Sequence, residues 1–199
     1  LHIVKKKAKI LKASDNMVVK DEQITMLHGA GGSVMHDLIR NYILKYLGET
    51  ETPRFAEVPL SDLADAAVVD DIVLKSDSHA VKPIFFPGGD IGRLAISGTV
   101  NDISVLGAEP IALACGLILE EGLHIADLER ILTSMRDTCV EAKVGIVTGD
   151  TKVVEKGSLE GCVINISGIG GRSDALEKNI TVVKKFRKKF KSRWILDKN

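Results

Sequence analysis

Apolar residues recur at helical spacing in three stretches of the chain. The first stretch begins after Ser33, a suitable N-cap, and stops before Gly48. The second lies between Asp90, which can accept hydrogen bonds from the first N–H groups of a helix, and Gly107, which can end one in a left-handed turn. The third covers residues 125–139. Because this spacing places the apolar side chains on one face, the pattern predicts three helices.

Shorter apolar runs without this spacing predict strands. They cover residues 23–27, 66–69, 72–74, 111–119, 146–148 and 163–169. Asp70 and Asp71 between two of these runs indicate a tight hairpin, whereas charged residues and two prolines predict a loop over residues 49–59. The order of elements predicts an α/β or α+β fold, in which helices pack against one sheet.

The helix predicted between Asp90 and Gly107 has a polar patch within its apolar surface. The patch consists of Gly98, Thr99, Asn101 and Asp102. Glycine in a helix interior costs about 1 kcal/mol relative to alanine, so a requirement other than helix propensity explains Gly98. The simplest explanation is the close approach of a backbone or a ligand.

The composition is that of an ordinary globular protein. The 199 residues are 45% apolar and 27% charged, and the 27 basic and 27 acidic side chains cancel. A net charge of zero gives no general attraction to nucleic acid or to an anionic membrane, and the longest apolar run, residues 110–119, is too short to span a bilayer. The three cysteines lie far apart without a CxxC pair, so we expect neither a disulfide framework nor a zinc site. We also expect the protein to be in the reducing cytoplasm.

Four aspartates fall at or near the ends of predicted elements. Asp65 precedes one strand, Asp77 ends another, Asp102 lies in the central helix, and Asp150 ends a strand in the sequence VTGDTK. Taken singly, each is more simply a turn or cap residue. Taken together at one edge of a sheet they suit a magnesium–nucleotide complex, because Mg²⁺ binds carboxylate oxygens and keeps several waters while phosphates complete its shell.

Other residues fit the same chemistry. Lys82, Lys152 and Arg93 are cations for phosphate oxygens. The glycines of residues 29–32 precede a helix and suit a phosphate cradle, or equally a flexible turn. His79 suits acid–base chemistry near neutral pH, or equally an exposed loop position. The absence of GxxxxGK[ST], and of GxGxxG after a strand, excludes the usual P-loop and Rossmann sites.

Several motifs of the chain resemble the HypE family of hydrogenase maturation proteins. They are HGAGG at 28–32, DAAVVDD at 65–71, the stretch 76–110, GLILEEG at 116–122 and VTGDTKVVEKG at 147–157. The segment GTVNDISVLGAEP at 98–110 is typical of the wider superfamily of aminoimidazole ribonucleotide synthetase and selenophosphate synthetase. The segments FFPGGDIG at 85–92 and GDTKVV at 149–154 are typical of the HypE family within it.

The resemblance implies a fold, partners and an activity. The fold would be an ATP-binding domain of the aminoimidazole ribonucleotide synthetase type, a mixed sheet with helices on one face that pairs with a second copy through a β-barrel-like interface. The activity would be ATP-dependent dehydration of a carboxamide on a C-terminal cysteine to a thiocyanate, which supplies the cyanide ligands of [NiFe]-hydrogenase. Besides the homodimer, the implied partners are a carbamoyltransferase and an iron-scaffold protein, with no nucleic acid and no membrane.

The resemblance also implies roles for single residues. The implied ligands of Mg²⁺ are Asp65, Asp77, Asp102 and Asp150. The implied ATP-binding residues are Gly29, Gly31, Gly32, Thr99, Asn101, Thr148, Gly149, Thr151 and Lys152. His79 and Lys82 are the candidate catalytic residues.

The resemblance covers residues 17–171 and leaves both ends of the chain outside it. We therefore expect an extension at 1–16, an ATP-binding and dimerisation domain at 17–171 and a basic tail at 172–199 without the second family domain and its cysteine. Such a chain would bind nucleotide without completing the dehydration. Two alternatives stay open, a non-catalytic dimerisation or docking fragment and a sister ATP-dependent synthetase of the same superfamily.

Overall fold

The computed structural model describes residues 23–48, 50 and 56–182, and the chain forms two compact units, Leu1–Thr52 and Pro53–Asn199. The extension predicted at 1–16 and most of the basic tail lie outside the described residues. None of the helices in the described ranges is both long and apolar enough to cross a bilayer.

The first unit is helical. It contains a 3-10 helix, Met26–Gly29, followed by α1 (Gly32–Leu38), a π-helical segment (Ile39–Ile43) and α2 (Leu44–Leu47). The predicted first helix is confirmed, but the strand predicted at 23–27 is wrong. Thr25 instead caps the 3-10 helix, and its backbone N–H donates to Nδ1 of His28 at 3.0 Å. This local bond satisfies a backbone group that a strand would offer to a neighbour.

The second unit is built on one mixed six-stranded sheet. Its strands are β1 (Ala56–Val58), β2 (Ala67–Val69), β3 (Ile72–His79), β6 (Glu109–Glu120), β7 (Gly145–Val154) and β8 (Cys162–Gly171), in the order β1-β2-β3-β8-β6-β7. The strands β4 (Phe85–Phe86) and β5 (Gly89–Asp90) form a separate ribbon. Neighbouring strands of the large sheet are antiparallel except β6 and β7, which are parallel.

Helices cover one face of this sheet. They are α3 (Ile91–Val105), α4 (Ile125–Glu141) and a helix over residues 174–182, named α5. One apolar cluster joins α3 and α4 to β6 and β8, with Ile96, Met135 and Ile166 buried in it. A second joins Ile103 of α3 to Leu176 of α5. The expected fold, a mixed sheet with helices on one face, is confirmed.

Both predicted ends of α3 are confirmed. Oδ1 of Asp90 accepts hydrogen bonds from the backbone N–H groups of Gly92 at 2.7 Å and Arg93 at 3.1 Å. Gly107 has a φ of +89°, and a Cβ there would lie 2.8 Å from the backbone of Leu176. Glycine is therefore required for both the left-handed turn and the packing of α5.

Strands β7 and β3 extend beyond their predicted limits, and strand β1 was not predicted. β7 continues through the whole GDTK segment, so Asp150 lies within a strand and not at its end, and β3 continues past Asp77 to His79. β1 lies inside the predicted loop. Long-range pairing explains these differences, since Asp150 is aligned with Gly116 of β6 and Ala56 with Val69 of β2. Ladder hydrogen bonds to a partner strand outweigh the weak strand propensity of glycine and aspartate.

Candidate functional site

Strand β3 presents alternate residues to opposite faces of the sheet. Lys75 and His79 face α3, since Nζ of Lys75 lies 2.5 Å from Oδ2 of Asp102 and the ring of His79 lies against Gly98. Asp77 belongs to the same row because side chains two residues apart share a face. The charged row between β3 and α3, formed by Lys75, Asp77, His79 and Asp102, is named the charged seam below.

Gly98 is the position at which α3 approaches the charged seam most closely. A Cβ built on Gly98 would lie 2.9 Å from Nε2 of His79 and 3.5 Å from Oδ2 of Asp77. Gly98 therefore accommodates side chains of β3, in place of the backbone or ligand suggested by the sequence. Asp102 lies one helical turn after Gly98 on the same face of α3, which places both carboxylates at this crossing.

His79 is held inside the charged seam and is not the exposed loop residue considered as an alternative. Its side chain is 11% exposed, and Nε2 lies 3.5 Å from Oδ2 of Asp77. Nδ1 is buried and has no hydrogen-bond partner within the part of the chain that the structure describes. A buried imidazole nitrogen without a partner costs free energy, which is characteristic of a position adapted to a ligand or a proton.

Lys75 was missed by the sequence-based reasoning. It forms the ion pair with Asp102 at 2.5 Å, and its side chain is 18% exposed. The signal that could have found it is the alternation in KSDSH, which places Lys75 on the same face as Asp77 and His79.

The opposite face of the sheet carries a polar network. Nδ2 of Asn165 donates to Oγ of Ser78 at 2.8 Å and to the backbone oxygen of Asp77 at 3.1 Å, and the hydroxyls of Ser76 and Ser167 lie 2.9 Å apart. The register aligns Ser78 with Asn165, Asn165 with Gly116 and Gly116 with Asp150. This face, against which no helix of residues 56–182 packs, is named the open face.

Asp150 therefore lies on the other side of the sheet from Asp77. Residues aligned across neighbouring strands share a face, and the register aligns Asp77 with Ile166, Ile166 with Cys115 and Cys115 with Gly149. Asp150 follows Gly149 in β7, and its side chain therefore belongs to the other face, which is the open face. Two strands separate β3 from β7, which corresponds to about 14 Å. Nζ of Lys152 lies 2.6 Å from Oδ2 of Asp150, and the hydrogen bond from this ammonium group is the main reason why the pKa of Asp150 is lowered.

Within one copy, the structure does not gather all four predicted metal ligands. Asp77 and Asp102 lie in the charged seam, Asp65 is exposed before β2, and Asp150 is on the edge strand β7. In residues 23–48, 50 and 56–182, no group of three histidine, cysteine, aspartate or glutamate side chains is close enough to hold a metal ion alone. A magnesium ion needs only one or two carboxylates when phosphates and waters supply its other ligands, so Asp77 and Asp102 fit this ion.

The remaining predicted residues are dispersed. Thr99 is fully buried and its hydroxyl donates to the backbone oxygen of Ala95 at 3.2 Å, so its side chain has no surface for a ligand, whereas Asn101 is exposed. Lys82 is exposed and ion-paired with Glu160. Thr148, Gly149, Thr151 and Lys152 all lie on the exposed strand β7. Gly29, Gly31 and Gly32 are exposed in the first unit, with positive φ at the latter two.

A groove lies between α4 and β7, on the helix-covered side of the sheet. Its volume is about 1010 Å³, and its lining includes Leu132, Met135, Ile146 and Thr151. Cys115 and Cys139 also contribute to it, and burial raises the pKa of both thiols. The groove is lined mainly by apolar side chains and does not include the charged seam.

The site lies in a region that matches a known family. Residues 63–171 match the family described as AIR synthase related protein, N-terminal domain, which is more than half of the chain. The chain belongs to this family. The AIR synthase related domain includes the elements from β2 to β8 and thus all four residues of the charged seam. The superfamily expected from the motif at 98–110 is confirmed.

Similar curated proteins are hydrogenase maturation proteins. A putative hydrogenase expression/formation protein of Methanocaldococcus jannaschii is 49% identical over 152 residues, covering 74% of this chain and 44% of that protein. The carbamoyl dehydratase HypE of Escherichia coli is 43% identical over 148 residues, with coverage of 74% and 44%. The chain thus spans less than half the length of these relatives.

Solved structures agree with the sequence matches. A HypE–HypF complex has a TM-score of 0.61 at 45% identity, covering 69% of this chain and 43% of that one. HypE in complex with ATP has a TM-score of 0.51 at 45% identity, with coverage of 76% and 44%. The expected resemblance of this AIR synthase related domain to HypE is confirmed.

Proposed function

We propose that this chain is the nucleotide-binding part of a HypE-type carbamoyl dehydratase that acts in hydrogenase maturation in the cytoplasm. Its similarity to HypE proteins, one of them solved in complex with ATP, supports this assignment. The observation that carries it is the charged seam, where Asp77 and the ring of His79 lie against Gly98 and Nδ1 of His79 has no hydrogen-bond partner among the described residues. Asp102 lies one helical turn after Gly98 and pairs with Lys75.

Asp77 and Asp102 are the residues that would hold Mg²⁺. Both carboxylates lie where α3 and β3 cross, and the missing side chain of Gly98 lets the side chains of His79 and Asp77 pack directly against α3. When bound, Mg²⁺ would offset the charge of the phosphates, and ATP would supply the phosphoryl group that makes the amide oxygen a leaving group. Asn101, exposed on α3, would contact the nucleotide. His79 would hold or accept a proton through Nδ1.

A second copy would complete the site. Asp150, Thr148 and Lys152 lie on the open face and cannot meet Asp77 within one copy, so we place them in contact with nucleotide bound to the partner of a homodimer. Large exposed apolar side chains on this face support the pairing, namely Ile72, Leu74, Ile111, Ile118 and Ile169. Burying such side chains is the main source of affinity in a homodimer interface. Asp65, Lys82 and the glycines of residues 29–32 stay predictions as nucleotide ligands.

The acceptor cysteine of the dehydration would not be one of those present. Cys115, Cys139 and Cys162 are buried, and burial raises the pKa of each thiol, which disfavours the reactive thiolate. We therefore assign nucleotide binding to this chain and do not assign the role of acceptor to any of these three cysteines. A carbamoyltransferase of the HypF type and an iron-scaffold protein would be its partners, the first supported by the solved HypE–HypF complex.

Calorimetric titration with Mg²⁺–ATP tests this function. We expect magnesium-dependent binding that Asp77→Asn or Asp102→Asn weakens by about tenfold or more, because each removes a charged ligand of the cation. Asp137→Asn is the matched control, since Asp137 is exposed on α4 and pairs with the adjacent Arg136. Binding without magnesium dependence, or equal loss in all three variants, would contradict the proposal, and no binding at all would favour a docking fragment.

A further inference from the structure

Lys75 forms an ion pair with Asp102, one of the two carboxylates that the proposed function assigns as ligands of a metal ion. Its Nζ lies 2.5 Å from Oδ2 of Asp102, with 18% and 30% of the two side chains exposed. Asp77, the other assigned ligand, lies two residues along the same face of β3. The lysine ammonium therefore stands between the strand and the helix at the place where a divalent cation would bind.

An ammonium group and a divalent cation compete for the same carboxylate oxygen. Both need the lone pairs of Asp102, and their like charges repel at short range. A lysine has a flexible four-carbon stem, so its ammonium can leave one acceptor for another a few ångströms away. A phosphate oxygen of a nucleotide is such an acceptor, whereas a free metal ion brings none.

We propose that Lys75 makes the charged seam selective for a metal–nucleotide complex over the free metal ion. In the absence of nucleotide Lys75 neutralises Asp102 and opposes binding of a bare divalent cation. When the cation arrives with nucleotide, Lys75 releases Asp102 and pairs with a phosphate oxygen. This inference rests on the proposed function, since it assumes that Asp102 is a ligand of the nucleotide-bound cation.

The proposal predicts effects of opposite sign for one substitution. Lys75→Met should raise the affinity for free Mn²⁺ by about tenfold, because a positive charge near the ion is removed. The same variant should lower the affinity for Mg²⁺–ATP severalfold, because a phosphate partner is lost. Lys178→Met is the matched control, since Lys178 is exposed on α5 and its substitution changes the net charge equally.

The experiment measures free Mn²⁺ by electron paramagnetic resonance and Mg²⁺–ATP binding by calorimetry, on the full chain and its variants. Circular dichroism checks folding, and Lys75→Gln replaces Lys75→Met should the latter unfold. The inference is overturned when Lys75→Met changes neither affinity, shifts both in one direction or behaves like Lys178→Met.

Asp102→Asn separates the failure of this inference from failure of the proposed function. Mg²⁺–ATP binding that depends on Asp102 but not on Lys75 overturns the inference and leaves the proposed function in place. Loss of both dependences, or absence of binding in the natural sequence, overturns the two together.

Discussion

Gly98 and His79 are in such close contact that no other residue fits at position 98 without moving the imidazole. A Cβ on Gly98 would lie 2.9 Å from Nε2 of His79. The helix therefore retains a residue of poor helix propensity in its middle, and the ring of His79 is held against α3. This contact fixes the distance between the two elements that carry Asp77 and Asp102.

The contact predicts strong coupling between the two positions. Alanine normally stabilises a helix interior by about 1 kcal/mol relative to glycine. In the natural sequence Gly98→Ala should lose this gain and destabilise the chain, because the new methyl group displaces His79. In a His79→Ala background the clash is absent and Gly98→Ala should stabilise. Urea unfolding of the four proteins measures the coupling free energy, and equal effects of Gly98→Ala in both backgrounds would show that the contact does not matter.

Local signals explain which parts of the fold could be predicted from the sequence. Both ends of α3 depend on residues next to the helix, the Asp90 cap and the left-handed turn at Gly107, so the sequence alone located them. β1 and the second half of β7 could not be found in this way, because their strand conformation depends on pairing with distant residues.

The candidate site could be predicted only in part, because its residues are brought together by contacts between distant parts of the chain. Asp77, His79 and Asp102 could be named from motifs, but their meeting depends on the packing of β3 against α3. The position of Asp150 on the opposite face depends on the register of three strand pairs, which periodicity within one strand cannot supply. No motif in the sequence marks Lys75 as a residue of the site, and only its ion pair with Asp102 shows that it belongs to the charged seam.

Glu120 provides a pH-dependent test of the loop that follows β7. Its carboxylate accepts hydrogen bonds from the backbone N–H groups of Gly161 at 3.0 Å and Gly157 at 2.6 Å. These bonds, that of Gly161 first, lower the pKa of Glu120. A lowered folded-state pKa contributes stability above the unfolded value, about 4.3, and this contribution is lost as the pH falls through the folded value.

The measurement compares the natural sequence with Glu120→Gln by chemical unfolding between about pH 6 and pH 3, a range centred on the carboxyl pKa. Glu120→Gln should be less stable at the upper limit, with a difference that shrinks as the pH falls. Glu121→Gln, at the next and exposed position, serves as the control. A difference that stays constant with pH would show that the carboxylate charge does not hold the loop.

The location of the bound nucleotide is the central claim, and paramagnetic broadening by Mn²⁺–ATP in ¹H–¹⁵N spectra measures it most directly. We predict that the amide signals of the charged seam and of Gly98 and Asn101 broaden first, and that Asp102→Asn abolishes this effect. Signals of Leu132 and Val140, which line the groove between α4 and β7, should persist. Broadening centred on that groove, with the signals of β3 and α3 unchanged, would contradict the account.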